Sequence, residues 1–205
     1  MKKVRKKLAS LEPSLAGFSL LLGLKPSDAP RLHHHTILFP ENYDAEFDAL
    51  YTQQKPVADP TIYICSPQDS TMAPSGSQSW FVLVNAPRHS QSGAGFNWLT
   101  PGVAEGYRDH LIELLVDRKL LDRSRIVDLK YRSPADIERM YNAPGGSIYG
   151  RSSNGPSAAF NRASNRSPIS GLFLVGGSAH PGGGVPLVGI SGEIVANAIA
   201  SEPSR

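Results

Sequence analysis

Short runs of apolar residues alternate with polar and glycine-rich connections through the first half of the chain. Such runs, bounded by turn-forming residues, are typical of β-strands. Four strands are predicted, at residues 18–24, 36–39, 61–65 and 80–85. Residues 44–51 predict a short helix between the second and third strands. Because no long helix separates these strands, the pattern favours a mostly antiparallel sheet.

The spacing then becomes helical. The clearest helix is predicted at residues 100–122, with Thr100 as its cap and Pro101 at its first position. Its apolar residues recur at intervals of three and four and are expected to face the core: Val103, Tyr107, Leu111, Leu114 and Leu115. A strand is predicted at 125–131, and a helix at 133–140 begins with the capping sequence Ser-Pro-Ala-Asp.

An irregular stretch at residues 141–170 separates this region from the last segment. It is rich in Gly, Ser, Asn and Pro, and Arg151, Arg162 and Arg166 make it mildly basic. A long stretch without periodicity is a functional loop, a disordered segment or a surface connection. Composition alone favours the surface connection.

The last segment predicts a strand, a glycine loop and an amphipathic helix. Residues 172–175 are fully apolar, as expected of a strand buried on both faces. Five glycines lie between 176 and 184, and helical spacing of apolar residues follows over 187–199. Gly189 and Gly192 lie inside that helix, where each glycine costs about 1 kcal/mol relative to alanine. They indicate close approach to a sheet or to a flat ligand.

A helix that begins after a glycine loop presents unpaired N–H groups to an anion. Two familiar phosphate-binding loops do not match this one. Ile190 stands where a P-loop requires lysine, and Leu187 stands at the third glycine position of a dinucleotide fingerprint. The residues alone leave two alternatives, a site for an anion or cofactor and a structural turn.

Charge and composition narrow the function classes. The formal net charge is +3, but five basic residues crowd residues 1–10 and the remainder is slightly acidic. This distribution predicts a solvated basic tail rather than a nucleic-acid-binding face. We take the single cysteine, Cys65, to exclude an intrachain disulfide framework and any cysteine-based zinc site. No run reaches the roughly 18–20 apolar residues of a membrane span, and the cysteine content suits a reducing compartment. We therefore expect a cytoplasmic chain that can lie peripherally at a membrane.

The chain has one cluster of histidines, at His33, His34 and His35. Adjacent residues on a strand point to opposite faces, so the three are not expected to share a metal ion. His33 and His35 are the pair that could do so, but no dense set of further ligands accompanies them. We therefore interpret the cluster as the entry to a strand and predict no metal site.

A family resemblance becomes specific in the glycine loop. Residues 176–185 read Gly-Gly-Ser-Ala-His-Pro-Gly-Gly-Gly-Val and are followed by Ser191. This order resembles the C-terminal signature of the bacterial-type phytoene dehydrogenases, which are FAD-dependent carotenoid desaturases. Gly183 departs slightly from the family pattern, which more often has alanine there. Weaker resemblances to the family's substrate-domain sequences occur at residues 11–24, 34–39, 73–87, 141–150 and 165–168.

The resemblance implies an α+β fold with an α/β portion at the C-terminus. A mostly antiparallel substrate-domain sheet with helices would be followed by the last strand, loop and helix of an incomplete, Rossmann-like FAD-binding domain. The implied domains are a basic tail at 1–10, a substrate-binding region at 11–140, the irregular loop region at 141–170 and an FAD-binding segment at 171–205. The family's N-terminal dinucleotide-binding unit has no counterpart in the sequence. We therefore expect a fragment, a split subunit or a truncated product, with a complementing N-terminal FAD-binding chain as partner.

The resemblance also implies where FAD would bind. The ribityl–phosphate region would lie near Gly176, Gly177 and Ser178, and the isoalloxazine near Gly184, Val185, Pro186 and Leu187. Because proline has no N–H, Val185 and Leu187 are the better donors at the start of the helix. The implied reaction is the desaturation of a carotenoid such as phytoene, with a hydride passing to the flavin. No catalytic residue is assigned, and His180 is interpreted as a loop-orienting residue.

Two other functions stay open. The chain could be a remnant or accessory chain that binds no FAD by itself, or a related flavoprotein acting on another lipophilic substrate. Either enzyme would meet its substrate at a membrane face, where the lysine-rich start could adsorb to anionic lipid. In all three cases apolar residues of 172–175 and 187–199 are expected at the surface, because they lack neighbouring strands and helices.

Overall fold

The computed structural model describes residues 12–28, 30–152 and 162–201. They divide into two units, Leu15–Ser147 and the described parts of Met1–Ser14 with Ile148–Arg205. The basic start at 1–10 lies outside the described residues, as does part of the irregular stretch. Among the described residues, no helix is long and apolar enough to cross a membrane.

The Leu15–Ser147 unit is built on one antiparallel sheet. Its strands are β1 (Ala16–Leu24), β2 (His35–Leu38), β3 (Ile62–Cys65), β4 (Gln78–Ala86) and β5 (Ile126–Arg132). They lie side by side in the order β2-β3-β4-β1-β5, and every pair is antiparallel. Each strand coincides with a predicted apolar run, so the predicted antiparallel sheet and α+β class are confirmed.

The core lies on one face of this sheet. Along β4, Trp80, Val82 and Val84 are buried while the residues between them are more exposed, because successive side chains of a strand point to opposite faces. The central strand β1 contributes Phe18, which is fully buried. Its ring lies 5.1 Å from that of Tyr107, edge to face. The core is therefore aromatic at its centre and aliphatic around it.

A long helix, α2 (Val103–Asp117), contributes the other side of this core. Tyr107, Leu111 and Leu115 are buried, which confirms the predicted inward face. The predicted start at Thr100 is wrong. The N-cap is Gly102, with φ of 78°, and the Thr100 carbonyl instead accepts a turn hydrogen bond from the Val103 N–H at 3.1 Å.

A shorter helix, α3 (Pro134–Tyr141), follows β5 and begins with the predicted capping box. The Ser133 side chain accepts from the Asp136 N–H, and the Asp136 carboxylate accepts from the Ser133 N–H and hydroxyl. Burial raises the pKa of Asp136, but these bonds and Arg139 outweigh burial, so the pKa lies below its usual value. The charged carboxylate therefore stabilises the first turn.

The 3-10 turn Pro144–Gly146 packs against the start of α3. Gly146 has φ of 71°, and a Cβ added there would lie 2.2 Å from the Pro134 carbonyl oxygen. Both the backbone conformation and the space therefore require glycine at this position.

Among its described residues the second unit has one helix, α4 (Val185–Ala200), at the predicted position. Residues 172–175 were expected to form a strand and, without neighbouring elements, to lie at the surface. The surface position is confirmed, but no continuous strand forms at these residues. A single bridge joins Phe173 to Arg166, and Val175 is 60% exposed. Such a strand needs neighbours on both edges and cover on both faces, which the described residues do not supply. The expected exposure of apolar residues is present in α4, where Val185 is 88% and Ile199 53% exposed.

Candidate functional site

The loop that leads into α4 turns at three glycines. Gly176, Gly182 and Gly184 have φ of 110°, 150° and 96°, values that residues with a side chain rarely adopt. The loop brings its two ends together, because a Cβ at Gly177 would lie 3.4 Å from the Gly183 Cα. One continuous turn thus joins the two predicted flavin contacts, the residues near the ribityl–phosphate region and the residues near the isoalloxazine.

The glycines in this turn and beside it differ in the space around them. At Gly183 a Cβ would meet the Tyr149 ring at 2.6 Å, and at Gly150 it would meet the Ser178 side chain at 2.7 Å. These two positions are closed by packing within the unit. At Gly176 and Gly184 a Cβ would meet no atom within 4 Å. One side of the turn is therefore open at its first and last glycine.

The start of α4 is open as well. Its first helical hydrogen bond runs from the Val188 N–H to the Gly184 carbonyl at 2.9 Å. Helix geometry leaves the N–H groups of Val185 and Leu187 without an intrahelical acceptor, and Pro186 has no N–H. Two backbone donors and the positive end of the helix dipole therefore lie beside the open glycines.

A buried amide holds this turn in shape. Asn165 is 6% exposed, and its Nδ2 donates to the carbonyls of Leu174 at 3.0 Å and His180 at 2.9 Å. It also donates to the Ser191 hydroxyl oxygen at 3.1 Å. That oxygen accepts the Gly176 N–H at 3.1 Å as well. Asn165 and Ser191 thus fasten both ends of the loop to α4.

Two arginines of the irregular stretch support the same turn. The Arg162 guanidinium donates to the Gly177 carbonyl at 2.9 Å and lies against Gly182. Arg166 donates to the Ala198 carbonyl near the end of α4, where a cation complements the helix dipole. Residues 162–170 of the irregular stretch therefore stabilise the loop. For these residues the interpretation as a simple surface connection does not hold.

His180 orients the loop through its backbone. Its N–H donates to the Ala163 carbonyl at 2.9 Å, and its carbonyl accepts from Asn165. The residue itself is exposed. This arrangement gives His180 a positioning role and leaves its imidazole on the surface.

The prediction for Gly189 and Gly192 is not supported by contacts within the chain. A Cβ at either position would meet no atom within 4 Å. No sheet therefore approaches these glycines among the described residues. The flat-ligand interpretation stays a prediction.

Sequence reasoning missed the roles of Asn165, Ser191 and Arg162. Asn165 begins the Asn-Arg-Ser-Pro segment and Ser191 ends the glycine signature, so both lay inside stretches that carried the family resemblance. The polar side chains of these stretches were the available signal, because a buried amide or hydroxyl is nearly always bonded.

The histidine cluster has a geometry that the alternation of strand side chains did not predict. His34 lies at a bend just before β2, so its ring does not point away from that of His35. The two ring centroids are 4.4 Å apart, and the Tyr63 hydroxyl lies 2.9 Å from Nδ1 of His35. Burial, with the neighbouring Cys65 thiol, raises the pKa of Tyr63 above its usual value. His34 and His35 are thus the neighbouring pair, in place of His33 and His35.

A second surface in the Leu15–Ser147 unit is exposed and aromatic. Helix α1 (Tyr43–Phe47), capped by Asn42, continues as a π-helical turn at Asp48–Gln53. Four aromatic side chains lie next to one another on this segment and just before it. We term them the aromatic row: Phe39, Tyr43, Phe47 and Tyr51. Neighbouring ring centroids are 5.9, 5.0 and 6.2 Å apart, and the four residues are 65%, 48%, 44% and 42% exposed. A contiguous aromatic patch of this kind marks an interaction surface.

Comparison with known proteins identifies relatives of one kind. The chain is 36% identical over 204 residues to the 1-hydroxycarotenoid 3,4-desaturase of Flavobacterium sp. (strain P99-3). It is 32% identical to the 4,4'-diapolycopene oxygenase of Methylomonas sp and 32% identical to the hydroxyneurosporene desaturase of Rubrivivax gelatinosus. These alignments cover 96%, 96% and 95% of this chain but 40%, 39% and 37% of the relatives. No family model matches the sequence.

Proposed function

We propose that this chain, a relative of the carotenoid desaturases and oxygenases, forms part of an FAD-dependent oxidoreductase that desaturates a carotenoid such as phytoene or a later intermediate. The similarity extends along 96% of the chain. The observation that carries the proposal is the turn at residues 176–184, which leaves space at Gly176 and Gly184 and is held by bonds to Arg162, Asn165 and Ser191. An open, rigid turn beside a helix start is suited to bind an extended anionic cofactor.

FAD fits the groups that this turn presents. Gly176, Gly177 and Ser178 would lie along its ribityl–phosphate region, where Gly176 leaves space for a phosphate or sugar to approach the backbone. The N–H groups of Val185 and Leu187 would donate to the isoalloxazine, with Gly184 and Pro186 beside it. When bound, FAD supplies the two-electron acceptor that the side chains of this chain cannot provide. The chain's own contribution is position and the positive end of α4.

No side chain of the turn acts as an acid or base in this proposal. The polar groups that surround the turn are already hydrogen-bonded within the loop region, namely those of Asn165, Ser191 and Arg162. The backbone of His180 is fixed in the same way. The turn therefore binds and orients, and proton transfer is assigned to no residue here.

A second candidate is an accessory chain that binds no FAD by itself. The exposure of apolar residues along α4 favours it, since Val185, Ile190 and Ile199 are 88%, 45% and 53% exposed. A chain with a dinucleotide-binding unit would cover this surface and complete the flavin site. We propose such a chain as the partner in either case.

Co-expression distinguishes the two candidates. The chain is produced in a carotenoid-accumulating bacterial host, alone and with the part of the Flavobacterium desaturase that it does not align with. We expect the pair to retain flavin through gel filtration and to convert the pigment to one that absorbs at longer wavelength. Retained flavin with phytoene and later intermediates all unchanged would indicate another lipophilic substrate. A pair that assembles without flavin would establish the accessory function and overturn the enzymatic one.

The matched variants Gly184→Ala and Gly171→Ala test the position of the flavin. Both glycines have positive φ, 96° and 76°, and both have open space around a Cβ, so neither substitution introduces a steric clash with a neighbouring atom. Only Gly184 is proposed to face the cofactor. We expect Gly184→Ala to reduce flavin retention by the co-expressed pair about tenfold, equivalent to about 1.4 kcal/mol, while Gly171→Ala retains flavin as the parent does. Equal retention by both variants would remove Gly184 from the site.

The aromatic row is proposed as the surface that meets the lipophilic phase. Its rings are too exposed to serve the core, and Asp44 and Asp48 on the same segment favour neutral lipid over anionic lipid. Tyrosine and phenylalanine at such a surface bury apolar area while the phenol stays wet. We infer peripheral contact with a bilayer that holds the carotenoid.

Phe47→Ser is expected to weaken this contact. Burying the exposed part of a phenylalanine contributes about 1 kcal/mol, so the partition of the chain onto phosphatidylcholine vesicles should fall about fivefold. Met72→Ser is the control, because Met72 is 56% exposed and lies outside the row. Cosedimentation with plain and carotenoid-loaded vesicles separates lipid from pigment recognition. If both variants partition equally, the row is not the contact surface.

A further inference from the structure

Two imidazoles and a thiol meet at one end of the β2–β3 hairpin. One ligand atom each from His34, His35 and Cys65 can be chosen so that all lie within 4.8 Å of one another. Both histidines are exposed, and Cys65 is half-buried. Among the described residues, no other group of three or more histidine, cysteine or carboxylate side chains is so close.

The hairpin itself builds this cluster. His35, the first residue of β2, is the register partner of Cys65, the last residue of β3. Directly opposed residues of an antiparallel pair have Cβ atoms about 4.5–5.5 Å apart. The carbonyl of His34 accepts the Ser66 N–H at 2.8 Å, which fixes the bend beside the end of β3. Backbone pairing within the hairpin thus brings the three side chains together.

Tyr63 sets the orientation of one ligand. Its hydroxyl lies 2.9 Å from Nδ1 of His35, and its ring stacks on the imidazole at an interplanar angle of 19°. When the Tyr63 hydroxyl oxygen accepts the Nδ1–H of His35, Nε2 carries the lone pair and is available to a metal ion. Histidines that ligate metals in proteins are commonly held in this way.

We propose that His34, His35 and Cys65 form a binding site for a borderline-soft divalent cation, Zn²⁺ in the first instance, with water at the fourth position. Two imidazoles and a thiolate are the ligands that Zn²⁺ prefers, and no carboxylate joins the described cluster to favour Mg²⁺ or Ca²⁺. Ligand atoms around one tetrahedral Zn²⁺ lie about 3.3–3.7 Å apart, from bond lengths of about 2.0–2.3 Å. The proposal requires the side chains to rotate so that the ligand atoms, now within 4.8 Å of one another, reach that spacing.

The ion would join β2 to β3 at the edge of the sheet. Strand β2 has a hydrogen-bonded neighbour on one side only, so it depends on β3 for its place. This site belongs to the Leu15–Ser147 unit, and the turn proposed for FAD belongs to the other unit. Its presence or failure leaves the proposed oxidoreductase function untouched.

Titration of the purified, reduced chain with Co²⁺ and then Zn²⁺ tests the site. We expect one Co²⁺ per chain with the intense near-ultraviolet band of a thiolate–cobalt bond, which Zn²⁺ then displaces. The melting temperature should rise with Zn²⁺ concentration, because the ion binds the folded hairpin in preference to the unfolded chain. Cys65→Ser should lose the band and weaken Zn²⁺ binding at least tenfold.

The neighbouring histidines provide the controls. His34→Asn should weaken Zn²⁺ at least tenfold, and His33→Asn should bind it as the parent does, because His33 lies outside the cluster. Since His34 is exposed, its variant is expected to fold and keeps the test valid if Cys65→Ser does not. Equal weakening by His33→Asn and His34→Asn, or a Co²⁺ complex without a thiolate band, would overturn the proposal in favour of loose binding by the histidine run.

Discussion

Asn165→Asp is expected to open the turn at residues 176–184 while the Leu15–Ser147 unit stays folded. The side-chain amide donates to two carbonyls and a hydroxyl, and an aspartate of the same size cannot donate while charged. Its carboxylate would face the carbonyl oxygens of Leu174 and His180 in a buried position. Losing these two part-buried hydrogen bonds and setting a carboxylate beside the carbonyls costs about 1.5–4 kcal/mol.

Native-state hydrogen exchange measures this effect locally. The N–H groups of Leu174, Gly176 and His180 are bonded within the turn, and their protection should fall by about tenfold to a thousandfold. Ser201→Ala is the control, because it removes one exposed bond at the far end of α4 and should change none of these rates. Unchanged protection in Asn165→Asp would mean that the amide does not hold the loop.

Gly146→Ala is expected to be among the most destabilising single changes in the Leu15–Ser147 unit. The added Cβ would lie 2.2 Å from the Pro134 carbonyl oxygen and 2.7 Å from its Cα, so the first turn of α3 or the 3-10 turn must move. We expect a loss of more than about 4 kcal/mol in the free energy of unfolding. Urea unfolding followed by the fluorescence of Trp80 and Trp98, both buried in this unit, measures it.

Gly102→Ala separates backbone strain from steric clash. Gly102 has φ of 78°, close to the 71° of Gly146, but a Cβ there would meet no atom within 4 Å. It should therefore cost only the price of the left-handed conformation, about 1–2 kcal/mol. A Gly146→Ala chain as stable as the Gly102→Ala chain would show that the turn yields without cost.

The sheet could be predicted because its pattern is local. Runs of apolar residues identified all five strands, and the capping sequence at Ser133 identified α3. The start of α2 was misplaced because Gly102 adopts positive φ and interrupts the helix after Pro101. Proline at a first position is a preference, and a glycine turn overrode it here.

The features that were missed depend on residues distant along the chain. Asn165 bonds Ser191, and neither sequence position reveals the other. The strand predicted at 172–175 does not form, because an apolar run becomes a strand only where neighbouring strands pair with it. At the histidines, the backbone bends at His34 just before β2. Side chains there do not alternate between the two faces of the sheet as they do within a strand. Local pattern thus predicted the elements, while the site depended on long-range contacts.

The central place of β1 has a consequence for biosynthesis. Ala16 pairs with Ala86 in β4, and Ser19 pairs with Arg132 in β5. Both edges of β1 can therefore be paired only after most of the unit has left the ribosome. Contacts of such long sequence separation slow folding. Meanwhile the most apolar segment of the sheet, AGFSLLLGL, is unpaired on both edges and is the segment on which aggregation of the nascent chain or capture by a chaperone would begin.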